Sequence, residues 1–154
     1  MGIYKSTRHF VVHRDPFGKV RAHPCIRGKH AGMRDDDRNK TYEGIVRSEY
    51  LTQVGDVPPF TGPVGVEICA FLPIAKSNIN TKAKRKDWED GKLLPTIKPD
   101  LDNVIKSICD ALNGLAWIDD KQVVCLNVAK CYVKPDMAPQ SHVSITPVTG
   151  APEE

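Results

Sequence analysis

The sequence predicts a mixed α/β fold of the α+β kind, with one small mixed sheet packed against helices. Three observations predict it. The length, 154 residues, suits a single domain, which at this size buries about 70% of its unfolded surface. Apolar residues alternate along residues 64–72, the period of a strand with one face buried. Apolar residues at 101, 105, 108 and 112 form one stripe along a helix. The resulting order of β, α, β, long loop, α, β, β suits helices laid against one sheet.

Residues 3–13 (IYKSTRHFVVH) become β-prone toward their end and predict the first strand. Residues 14–40 are rich in Arg, Lys, His, Gly and Asp and are expected to be irregular. Residues 41–54 bring Ile45, Val46 and Tyr50 near helical spacing. Pro58, Pro59, Gly62 and Pro63 then enforce a turn. In VGVEICAFL, residues 64–72, the alternation puts Val64, Val66, Ile68 and Ala70 on one face, and Pro73 ends the strand.

Residues 75–98 are polar and basic without sustained periodicity and are expected to form a long mobile loop. Such a loop in a compact domain is usually functional or disordered. Residues 101–113 give the clearest helix, with Pro99 just before it and Gly114 where a left-handed C-terminal cap belongs. Residues 122–133 and 142–148 read as strands joined by a turn between Pro135 and Pro139. The tail, residues 150–154, is expected to fray. There is no internal repeat.

Composition excludes several classes. The formal net charge of +3 is mild and does not by itself indicate nucleic acid. No apolar run approaches the ~18 residues of a membrane span. The first residues lack the apolar core of a secretion signal, and the flank of Gly2 reads as an ordinary strand, not a myristoylation site. The five cysteines are odd in number and form no CxxC pair, so reduced thiols, a cytoplasmic setting and no zinc site are expected. Cys69, Cys109 and Cys125 lie in apolar runs, where a free thiol serves as a small hydrophobe.

The chemistry concentrates in residues 98–124, KPDLDNVIKSICDALNGLAWIDDKQVV. Asp100 and Asp102 follow Pro99. The residue before a proline is pushed toward extended geometry. If extension reaches Asp102, both carboxylates point one way and make a hard-oxygen site suited to Mg²⁺ or Mn²⁺. Helix capping explains an Asp at this place equally well. Asp119 and Asp120 precede the strand at Gln122, as a solvated turn or as further acids of the same site. Lys106 stands one turn after Asp102 and one turn before Asp110. It is either the middle of a salt-bridge ladder or a cation beside a phosphate. Val104 and Ile105 exclude an EF-hand.

Taken together, Asp100-Leu101-Asp102-Asn103, Lys106, Asp110-Ala111-Leu112, Trp117, Asp119-Asp120 and Gln122-Val123 resemble the signature of the RusA family of Holliday-junction resolvases. The resemblance covers about the central quarter of the chain. It implies a RusA-like domain that cuts DNA phosphodiester bonds at four-way junctions, as a homodimer, in recombination or repair. It further implies that Asp100, Asp102 and Asp120 bind Mg²⁺, for which Mn²⁺ can substitute, that Lys106 is catalytic, and that Asp119 is the second candidate of its pair. Relatives are common in phage and prophage. At Val20-Arg21-Ala22-His23-Pro24 the chain departs from the basic stretch often seen in relatives.

Lys76, Lys82, Lys84, Arg85 and Lys86 precede the acids and are candidates for phosphate contact, although Asp87, Glu89 and Asp90 dilute their charge. Trp88 among them either stacks on a base or anchors the loop. Two other readings compete. A catalytically silent DNA-binding module would keep the basic loop but need no clustered acids. A metal-dependent hydrolase of small phosphates would not need the basic loop.

Overall fold

In the computed structural model, residues 7–149 are described. The elements are β1 (Arg8–Val12), β2 (His23–Arg27), β3 (His30–Arg34), α1 (Asp37–Gln53), β4 (Val64–Leu72), α2 (Lys82–Glu89), α3 (Leu101–Leu112), β5 (Val123–Tyr132) and β6 (Gln140–Pro147). Four strands form one sheet in the order β1-β6-β4-β5, and β2 and β3 form a separate hairpin. β4 pairs antiparallel with β6 and parallel with β5. A parallel partner needs a crossover of a dozen or more residues. The chain between β4 and β5 supplies it and carries α3 across the sheet. The fold is therefore α+β with a mixed sheet, as the sequence predicts.

The alternation along β4 holds residue by residue: Val64, Val66, Ile68, Ala70 and Leu72 are all buried. The first four meet Tyr42, Val46 and Tyr50 of α1 and Val104, Ile108 and Leu112 of α3 in one core. The apolar stripe of α3 is turned from its expected centre. Val104, Ile108, Ala111 and Leu112 are buried, whereas Leu101 and Ile105 are only half covered. α3 packs against both β5 and α1, which widens its buried arc toward positions 104 and 111.

Two expectations are corrected. Residues 14–40 are not irregular throughout. They contain the β2–β3 hairpin, closed at Gly28-Lys29, where Gly28 takes φ 61°. A glycine at the first position of a two-residue turn suits a type II′ hairpin. α1 then begins at Asp37 rather than at residue 41, because Asp36 caps it by accepting from the Arg38 amide at 2.9 Å.

Residues 75–98 are not a plain loop either. They hold a 3₁₀ turn, Lys76–Asn78, and α2, which Thr81 caps. α2 buries no residue, so it leaves no apolar period to read. The Trp88 indole donates to the Val133 carbonyl at 2.6 Å and ties α2 to the end of β5. Trp88 is thus the anchor of the two roles considered for it.

The start of the first expected strand and the tail, residues 150–154, lie outside the described residues. Among the described residues no helix is long and apolar enough to cross a membrane. All five cysteines are free thiols, but Cys125 is exposed rather than a core filler, because it stands on the edge strand β5.

Candidate active site

The residues that lead into α3 are held from the sheet. Lys130 of β5 donates to the carbonyls of Ile97 and Pro99, at 2.6 and 3.1 Å. Asp100 follows as the N-cap, with extended geometry (φ −69°, ψ 146°), and its carbonyl accepts from the amides of Asn103 and Val104. Extension therefore stops at Asp100, and Asp102 lies in the first helical turn. The two acids sit around a helix N-terminus, not along one side of a strand. The Asp100 carboxylate makes no capping hydrogen bond. It forgoes a contact worth about 0.5–2 kcal/mol, so a capping hydrogen bond does not account for it.

Asp102 and Lys106 come together on the open side of α3, 4.0 Å apart, with side chains 68% and 62% exposed. The expected ladder does not continue to Asp110, which pairs instead with Lys19. The hydrogen bond that Lys19 donates to Asp110 raises the Lys19 pKa, opposed by partial burial.

That ion pair belongs to a seam sewing residues 17–20 to both helices. Ser107 Oγ donates to the Phe17 carbonyl (2.7 Å), and the Lys19 amide donates to the Asn103 carbonyl (2.9 Å). Buried Asn39 of α1 exchanges two 2.8 Å hydrogen bonds with the Val20 backbone. Gly18 lies so close to α3 that a Cβ there would stand 2.7 Å from the Pro99 Cβ. Gly18→Ala is expected to lower stability by roughly 1–3 kcal/mol through overpacking, measured as a fall in the urea midpoint with the slope unchanged.

The seam sets a cleft of about 440 Å³ beside α3, lined among others by Lys19, Arg21, Met33, Asp35, Asp102 and Lys106. From the sequence, Arg21 stands out only as part of the stretch that departs from the relatives' basic segment, and Asp35 not at all. They lie far upstream, and only the seam and the hairpin bring them opposite Asp102.

Asp119 and Asp120 differ in employment. Asp119 caps the 3₁₀ turn Asp120–Gln122, its carboxylate accepting from the Lys121 amide while the Gln122 side chain returns to the Asp119 amide. Asp120 accepts on Oδ1 from the indole of fully buried Trp117 at 2.8 Å, and Oδ2 has no protein partner among the described residues. Asp120 faces the second half of α3. Burial chiefly, then the charges of Asp120 and Asp110, push the Cys109 thiol up to about 12, so it is not a nucleophile at neutral pH.

Cys109 lies seven residues past Asp102, about 10 Å along the helix, and Lys106 stands between them. Among the described residues no three His, Cys, Asp or Glu side chains converge as a metal-ligand group. The donors nevertheless suit Mg²⁺ in kind. They are carboxylates with open oxygens, and that ion commonly takes only one or two of them, completed by waters and substrate phosphate.

In the basic stretch, Lys84 bonds to Ser77 and Asn80, and Lys86 pairs with Asp90 at 3.5 Å. Lys76, Lys82 and Arg85 have no hydrogen-bonded or ionic side-chain partner among the described residues.

The family model for Endodeoxyribonuclease RusA matches residues 14–145. A Bacillus subtilis (strain 168) protein, the uncharacterized YqaN, is 38% identical over 126 residues, which is 80% of this chain and 86% of that protein. The match takes in the hairpin, the cleft, α3 and both Asp119 and Asp120, and the chain belongs to the RusA endodeoxyribonuclease family.

Proposed function

We propose that the protein is a Mg²⁺-dependent, structure-specific endonuclease that resolves Holliday junctions by paired phosphodiester hydrolysis in recombination or repair. One observation carries the reading beyond family membership: Asp102 and Lys106 share an open cleft beside an N-cap acid that caps nothing. Asp100 and Asp102 at the N-terminus of α3 would hold the metal, with Asp120, which does not converge with them as a three-acid group in this structure, as the third ligand of the proposal. A metal held there would supply activation of a water and shielding of phosphate charge. Lys106 faces the phosphate and stabilises charge on the leaving oxygen. The Trp117 indole fixes the orientation of Asp120. Two strands must be cut, and a C2 homodimer presents two equivalent sites to them.

Cutting of a synthetic four-way junction, compared with linear duplex of the same sequence, tests the reading. Cleavage is expected with Mg²⁺ or Mn²⁺ and not in chelator. Full activity in chelator removes the metal from the proposal. Binding without cutting under any metal favours the silent module.

Lys76, Lys82, Lys84, Arg85 and Lys86 supply phosphate contacts in this reading. Replacing Lys82, Lys84, Arg85 and Lys86 together by Gln is expected to weaken junction binding. Its salt dependence should flatten by up to roughly 0.9 log–log units for every phosphate no longer neutralised. An unchanged slope would leave α2 as a solvated helix.

A further inference from the structure

The β2–β3 hairpin has two unlike faces. In register, Arg27 opposes His30, Cys25 opposes Gly32 and His23 opposes Arg34, so these side chains share one face. Pro24 opposes Met33 and Ile26 opposes Ala31 on the other. Among the described residues the apolar face is uncovered: Ile26 is 79% and Met33 67% exposed. A two-stranded hairpin is at best marginally stable by itself in water. This one is held from its base by the seam to α1 and α3 and stands ready for a partner.

The charge specifies the kind of partner. Residues 16–34 contain Lys19, Arg21, Arg27, Lys29 and Arg34 and no Asp or Glu. Residues 76–92 mix six cations with Asp87, Glu89 and Asp90. The hairpin is the more purely positive of the two segments. Arg27, His30, Arg34 and α1 residue Lys40 line a hollow of about 360 Å³ together with Met33 and one acid, Asp35, so three cations and a histidine stand there against a single carboxylate. Arg27 and Lys40 have no hydrogen-bonded or ionic side-chain partner among the described residues, and Arg34 pairs only with exposed Asp37. The hollow and the cleft of Asp102 and Lys106 are neighbours, since Met33 and Asp35 line both.

We propose that this hollow is a second DNA-backbone site, which seats a phosphate of the same strand whose scissile phosphodiester lies at Asp102 and Lys106. The strand runs from the cleft over Met33 into the hollow. Cations fix register there without reading sequence. Exposed Met33, at the crossing, lies against sugar and base edges. The inference rests on the endonuclease reading only for the identity of the strand. The hollow's affinity for DNA backbone stands by itself.

The test separates the two. Junction affinity is measured against salt in an Asp102→Asn background, where cutting does not intervene, with and without Arg27→Gln and Lys40→Gln. The log–log slope is expected to fall by roughly 0.9 for each phosphate that loses its cation. Lys134→Gln, which removes an exposed cation outside both hollows, is expected to leave it unchanged. An unchanged slope in the double variant, or an equal fall with Lys134→Gln, overturns the site. So does a weakened self-association in sedimentation with the slope intact, which would assign the hairpin to a second copy. If the parent protein fails to cut junctions in Mg²⁺ while the slope falls as stated, the endonuclease reading fails and the backbone site stands.

Discussion

Asp100→Asn, Asp102→Asn and Asp120→Asn proteins are expected to bind a four-way junction as well as the parent or more tightly, and to leave it uncut. A carboxylate beside a phosphodiester repels it unless a cation intervenes, so removing the charge favours binding while removing the site for that cation. Unfolding would not be the cause. Asp100 and Asp102 are exposed, and substitutions at such positions usually shift stability by no more than about 0.5 kcal/mol. Asn at 120 keeps an oxygen for the Trp117 indole. Asp119→Asn is the internal control. Asn caps as well as Asp, so the turn survives and cleavage should persist. Gel assays of cutting and binding on the same junction decide it. A dead Asp119→Asn beside an active Asp120→Asn would transfer the role within the pair.

Lys106→Ala is expected to fold and bind junction DNA nearly normally, yet to cut it roughly 10²–10³ times more slowly, the usual loss when one transition-state donor is removed. Its pairing with Asp102 at 4.0 Å, both side chains well exposed, contributes only about 0.2–0.5 kcal/mol to stability. The two roles therefore differ in what they predict. A structural Lys106 would move the melting temperature slightly and the rate not at all. Lys106→Arg keeps the charge but not the compact ammonium, so partial rescue is expected. Single-turnover cleavage at saturating protein reads the difference, and near-parental rates for Lys106→Ala would return the residue to a simple ion pair.

What the sequence made legible follows burial. β4 could be read because each second residue enters the core, and α3 because its apolar arc is continuous. The hairpin and α2 escaped because neither contains a buried residue; Gly28-Lys29 and Thr81 were the local signals available. Asp100, Asp102 and Lys106 lie within one helical turn or so, where spacing reports proximity. Asp110 was matched to Lys106 by the same rule, but its partner is Lys19, 91 residues upstream. Arg21 and Asp35 reach the cleft through tertiary hydrogen bonds at Asn39, Asn103 and Ser107, which no periodicity announces. The parallel register of β4 and β5, which carries α3 across the sheet, was equally invisible.

Trp117 gives Asp120 an optical handle. Its ring is wholly shielded from solvent and its single polar atom donates to an Asp120 oxygen. An ion that draws charge from that carboxylate weakens the hydrogen bond and changes the electronic surroundings of the chromophore. The chain has two tryptophans, and the other, Trp88, donates to a backbone carbonyl at the end of β5. In a Trp88→Phe protein excited at the red edge of indole absorption, where the four tyrosines do not absorb, the emission therefore comes from one fluorophore, wired to one acid. Titrating Mg²⁺ into such a protein would follow occupancy at Asp120 by light alone, with no DNA in the cuvette.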